Sequence, residues 1–204
     1  MKVGAVIALS FLLAACGRDG GEIRYRIEVR VADHGRQLIR STVVSATASQ
    51  SYNFGPGSGW GRPFLHQIKG SALHFPRKGG DVLLLLAPQG SNGVKEWHSA
   101  MLERQFHVLG ASAGKTWIED WRDLRRSQKF VVLDPADYPS FVVLRPRGAT
   151  VEPLERLAED GFVVQGIQII VTSEPPTTLP ASLGSDINAI SRGVRMDRSY
   201  FSTD

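Results

Sequence analysis

Cysteine is almost missing from this chain. Cys16 is the only one in 204 residues, so no disulfide can form within the molecule and the fold must rest on its hydrophobic core. Long apolar runs are missing too. The stretch from Val3 to Leu13, broken by Gly4 and Ser10, is short of the about 20 residues a membrane-spanning helix takes, and nothing later approaches that length. Histidines are few and badly spaced for a metal. His34, His66, His74, His98 and His107 include no pair four apart, the spacing that places two imidazoles on one helical face for zinc. No metal and no cofactor is therefore expected. Charge of one sign is not in large excess: the formal net charge is +4, too small for a nucleic-acid footprint, and no nucleic-acid partner is expected. What remains, 42% hydrophobic and 22% charged residues, suits a globular body of one ordinary domain.

The amino terminus carries the most specific pattern. Lys2 precedes the short apolar stretch, and small residues at Ala14 and Ala15 lead into Cys16, the order of a secretory signal with its cleavage site. The run Leu13-Ala14-Ala15-Cys16 resembles the lipobox of bacterial lipoproteins. The resemblance covers only these first 16 residues and takes precedence over an ordinary signal with a chance cysteine. It implies cleavage before Cys16, a diacylglyceryl group on its thiol and usually an acylated new amino terminus. Removal of residues 1–15 takes Lys2 with it, and the formal charge falls from +4 to +3. A chain anchored by more than one acyl group stays on a membrane without a spanning segment. Gly17 stands where an aspartate would retain such a protein at the inner membrane, so the resemblance favours the outer membrane, with the body facing the periplasm.

Residues 16–22 read as a polar tether, 23–173 as an α+β domain and 174–204 as a loosely attached, weakly patterned tail. Tyr25, Ile27, Val29 and Val31 alternate with Arg24, Arg26, Glu28 and Arg30, the period of a half-buried strand. Asp33-His34-Gly35-Arg36 then predicts a turn, and Leu38 to Ala48 an antiparallel return. A second hairpin is expected from 72–75 and 82–87, with the run Val82 to Leu86 buried on both faces. Apolar periodicity places a helix over 94–109, and Thr116 with Glu119 has the spacing of a capping box opening another. Strands are expected at 129–133, 140–144 and 162–171, and a short helix at 153–159 that stops at Gly161. The expected fold is thus α+β, a largely antiparallel β-sheet covered by two or three helices in a single domain.

Several motifs invite chemistry that their context denies. Gly110-Ala111-Ser112-Ala113-Gly114 has the form of a nucleophile elbow, but no histidine follows Ser112 to act as its base, and the preceding segment reads as helix. Extended to Lys115-Thr116, the same stretch lacks one residue of a P-loop. The acids Glu119, Asp120 and Asp123, and Glu152, Glu155, Glu159 and Asp160, are neighbours along single segments. Acid pairs that cleave glycosides face each other from separate elements, so these read as solvated faces. His98 falls toward the apolar side of its helix and reads as a hydrogen-bonded core histidine. No catalytic residue is assigned.

Two features carry a functional expectation. Arg24, Arg26 and Arg30 share the wet face of the first strand and are candidates for contact with anionic lipid headgroups; an ordinary solvated strand face is the simpler reading. Tyr52, Phe54 and Trp60 lie among glycines and are candidate ligand contacts, able to stack on sugar rings or partner side chains. A lid folded back over the core is the other reading, and the simpler one on burial grounds. Beyond the lipobox, RYRIEVRV at 24–31, STVVSA at 41–46, YPSFVVL at 138–144 and VVQGIQIIVTSEP at 163–175 resemble a group of small bacterial proteins with a Tyr-rich first hairpin. That resemblance implies one intact domain and supplies no function. The function expected is a membrane-bound, lipid-anchored protein, more a non-catalytic binding or envelope-interaction module than an enzyme. A cell-wall glycan or an envelope protein would be its partner, in the latter case through an exposed Trp97, Trp117 or Trp121. The alternative is an envelope hydrolase whose site is assembled from dispersed residues.

Overall fold

The structure, a computed structural model, describes residues 17–53, 59–77, 81–84, 94–110, 114, 116–145, 148–178 and 202–203. Its frame is the long hairpin of β1 (Gly17–Asp33) and β2 (Arg36–Asn53). The two strands pair from Gly17 opposite Ser51 to Asp33 opposite Arg36, with a shift of register between Asp19 and Gly21. Their turn needs two left-handed residues to match the twist of the strands, and His34 and Gly35 supply them with φ of 47° and 82°. Alternation in the sequence becomes alternation in space. Ile23, Tyr25, Ile27, Val29 and Val31 are fully buried on one face, while Glu22, Arg24, Arg26, Glu28 and Arg30 occupy the other.

Further strands extend this hairpin into a sheet. β3 (Gly59–Trp60) and β4 (Phe64–Ser71) pair with β2, and β10 (Phe162–Val171) with β1. β7 (Phe130–Val132) lies beyond β10, and β11 (Ser202–Thr203) beyond β4. The order is β11-β4-β2-β1-β10-β7, with β3 beside β2 and the described pairs antiparallel. At Ala72 the chain leaves this sheet for a second one made of β5 (Leu73–Phe75), β6 (Asp81–Leu84), β8 (Phe141–Arg145) and β9 (Gly148–Glu152), in that spatial order. The two sheets meet through aromatic rings. Phe162 of β10 stands edge-on to Phe75 of β5 and to Phe141 of β8, with centroids 5.5 and 6.5 Å apart.

Three helices complete the described structure: α1 (Val94–Phe106), α2 (Trp117–Arg126) and α3 (Leu154–Glu159). α2 has the expected capping box. The Glu119 amide is within reach of the Thr116 hydroxyl, and the Glu119 carboxylate accepts the Thr116 amide at 2.7 Å. α1 stops at Phe106, short of the predicted end, because His107 and Leu109 turn left-handed with φ of 56° and 66°. The fold is α+β and largely antiparallel, but dominated by its sheets, with the helices playing a lesser part than expected.

Several expectations are corrected. The polar stretch after Cys16 is no tether: β1 is already paired at Gly17. Gly20 there answers to packing, since a Cβ on it would come within 2.8 Å of both the Trp117 and Trp121 rings. Those two tryptophans and Trp97 are not exposed contacts. They are 6%, 0% and 3% accessible, and their indole N–H groups donate to the Gln50 side-chain oxygen, the Gly21 carbonyl and the Asp137 carbonyl, respectively. The segment after β10 is pinned where it is described. Thr177 donates its amide to the Val43 carbonyl at 2.9 Å and accepts the Val43 amide on its hydroxyl at 2.8 Å. The two-sided burial expected of Val82 to Leu86 and the serine of the elbow motif, Ser112, lie outside the described side chains.

Candidate functional site

At the end of the sheet where the chain emerges from Cys16, β1 and β2 bring together residues far apart in sequence. Gly17 pairs with Ser51 and Arg18 with Gln50, while β3 sets Trp60 opposite Tyr52. Phe64 begins β4 opposite Ser49. The Arg18 guanidinium lies over the Trp60 ring, 4.1 Å from its centroid, and Tyr52 meets the same ring edge-on at 5.4 Å. Trp60 remains 41% exposed and Phe64 47%.

The cluster is held by backbone and buried amide contacts. Gln50 donates its side-chain amide to the Gly61 carbonyl at 2.7 Å and accepts the Trp117 indole at 2.7 Å, which ties the β3 segment to α2. The Gly61 amide returns to the Ser51 carbonyl at 2.9 Å, and Arg62 forms an ion pair with Glu103 of α1. Trp60 is therefore displayed by a fastened loop and does not close over the core. Tyr52 and Trp60 come together as the sequence suggested; Phe54 lies outside the described residues. Arg18 and Phe64 were not singled out in the sequence. Only the strand register, which depends on long-range pairing, places Arg18 beside Trp60 and Phe64 at the same end of β2.

The arginines of the outer β1 face are placed differently. Arg24 pairs with Glu22, Arg26 with Glu174, and Arg30 with Glu28 at 3.1 Å. Three carboxylates thus balance three guanidiniums, which leaves little net field to draw an anionic surface. Arg24 also donates to the Ser173 carbonyl at 3.2 Å. A shallow cleft of about 380 Å³ opens here, lined by Glu22, Arg24, Arg125, Thr172 and Ser173.

The core holds a tyrosine–histidine pair. The Tyr25 hydroxyl meets Nδ1 of His98 at 2.5 Å, both residues fully buried, and the Trp97 ring stands edge-on to the imidazole at 4.9 Å. Burial lowers the His98 pKa from 6.5 to about 3 and raises that of Tyr25 well above its usual value. Both are neutral at ordinary pH. Among the described residues no group of three or more His, Cys, Asp or Glu is disposed to hold a metal, and no helix is long and apolar enough to cross a membrane. Of the acids noted in the sequence, Glu119 caps α2, Glu152 accepts the Thr150 hydroxyl at 3.0 Å and Glu159 pairs with Arg156 at 3.4 Å. Comparison with protein-family models, with curated proteins and with solved structures finds no match.

Proposed function

We propose that this chain is a bacterial lipoprotein, held in the cell envelope by acyl chains on Cys16, whose periplasmic body acts as a non-catalytic binding or envelope-interaction module. The observation that carries the reading is the junction at Cys16. The lipobox-like run Leu13-Ala14-Ala15-Cys16 ends one residue before β1, and the display of Arg18, Tyr52 and Trp60 stands beside that junction. An exposed indole braced by a guanidinium and a phenol is suited to stacking and polar contact. The outer membrane is the proposed location, on the strength of Gly17 following the cysteine. An envelope glycan or an envelope protein is the proposed partner of the body.

The hydrolase alternative has less support. Glu22 is the carboxylate lining the described cleft, and it is already paired with Arg24. Intact-mass spectrometry of the membrane fraction tests the proposal. The expected species begins at Cys16 and carries acyl mass, and Cys16→Ala abolishes both the processing and the membrane association. An unmodified chain that retains residues 1–15 in the wild type overturns the reading.

A further inference from the structure

Lipoprotein bodies need some slack between anchor and domain if they are to stand away from the bilayer, and this chain has none. β1 is paired from Gly17, and consecutive Cα atoms are about 3.8 Å apart. Whatever holds Cys16 therefore holds the end of the sheet with it. The side chains at that end are the ones a bilayer surface accommodates. Trp60 and Tyr52 are amphipathic rings of the kind that settle at headgroup level, and exposed Phe64 adds apolar surface on the neighbouring strand. Arg18 lies over Trp60 and, unlike Arg24, Arg26 and Arg30, has no carboxylate partner among the described residues, so its donors are available to phosphate.

We infer that the Arg18–Tyr52–Trp60–Phe64 end of the sheet is a membrane-docking surface that rests on the phospholipid headgroups around the anchor and fixes the orientation of the body. This inference rests on Cys16 being the anchor point. It assigns headgroup contact to Arg18 and the aromatic end and withdraws it from the ion-paired arginines of the outer β1 face.

Trp60 makes the surface directly observable, because at 41% exposure it is the accessible tryptophan, whereas Trp97, Trp117 and Trp121 are at 3%, 6% and 0%. The protein recovered from membranes is reconstituted in vesicles of phosphatidylcholine and phosphatidylglycerol, with bromine on the acyl chains near the headgroup. The lipid is expected to quench tryptophan emission. Trp60→Phe is expected to lose most of that quenching while remaining on the vesicles with an unchanged near-ultraviolet dichroism of its buried rings. Equal quenching in wild type and Trp60→Phe overturns the inference. So does shielding of Trp60 from aqueous acrylamide without quenching by the lipid, which would mean that residues 1–15, a second copy or another protein occupies the surface. The mass of the same sample separates the two proposals. If Cys16 bears no acyl group, the lipoprotein reading falls, and the single thiol of the chain is coupled instead to a maleimide-headgroup phospholipid. Quenching of Trp60 in that sample sustains the docking surface, and its absence overturns it.

Discussion

Tyr25 and His98 form a fully buried polar contact in the core. The Tyr25 hydroxyl and Nδ1 of His98 share one hydrogen bond whose direction is set by the imidazole tautomer, and Nε2 is buried without a partner among the described residues. A charged imidazole would cost far more there, which is why burial lowers the pKa to about 3. The consequence for stability has a definite sign. The unfolded chain takes up a proton below about pH 6.5, whereas the folded chain resists doing so until about pH 3. Stability contributed by neutral His98 is therefore complete above the unfolded value and is lost progressively as pH falls between the two. The ceiling on that loss is on the order of 5 kcal/mol. Urea denaturation from pH 7 to pH 4 is expected to show a falling midpoint, with a distinctly weaker fall in His98→Gln. Equal pH dependence in the two proteins would rule out His98 as the source. The sequence placed His98 on an apolar helix face and so in the core. It did not name Tyr25 as partner, because contacts across 73 residues of chain depend on how α1 settles on β1.

Among the elements, those legible in the sequence are those whose cause is local. The β1–β2 hairpin follows from alternation and from His34-Gly35 in the turn, and β10 runs over 162–171 as its residue pattern predicted. α2 is written in its cap, and Thr116→Ala is expected to cost about 1 kcal/mol through loss of the hydroxyl half of the capping box. A lower thermal midpoint with α1 protection unchanged in hydrogen exchange would mark the effect as local. The reading of residues 16–22 failed for an instructive reason. Glycine-rich polar sequence usually means slack, but Gly20 is small so that Trp117 and Trp121 can press on the backbone of β1, and Trp121 donates to Gly21 at 3.0 Å. Neither tryptophan is near in sequence, so no local signal marks the stretch as strand.

For the molecule as a whole, the described packing is one-sided. α1 reaches the buried face of β1 through His98, and the second sheet meets the same face through Phe162. On the opposite face the chain crosses back over the sheet after β10. The Thr172 amide bonds the Arg24 carbonyl, Ser173 and Glu174 engage Arg24 and Arg26, and Thr177 takes the place of a ladder partner for Val43. Thr177→Val removes the acceptor of the Val43 amide. Faster exchange at that amide and a loss of about 1 kcal/mol are expected, and unchanged exchange would show the crossing to be incidental. This crossing shields Val43 and Ser45 on a face otherwise lined by paired charges. The aromatic end near Cys16 carries no such cover among the described residues, which is why it is the surface proposed to meet the bilayer.

The amino-acid sequence by itself determined the lone cysteine and its lipobox-like setting, the first hairpin, the cap of α2 and the apolar side of α1. Each is an effect of residues a few positions apart, through alternation, periodicity or a single side-chain-to-backbone bond. Tertiary structure alone decided that β1 begins at Gly17, that the arginines of its outer face are neutralised, and that Arg18 lies on Trp60 beside Tyr52. Those outcomes depend on strand register and on helices packed from distant parts of the chain. Such long-range pairings share their stabilisation among many contacts, and no short stretch of sequence encodes them.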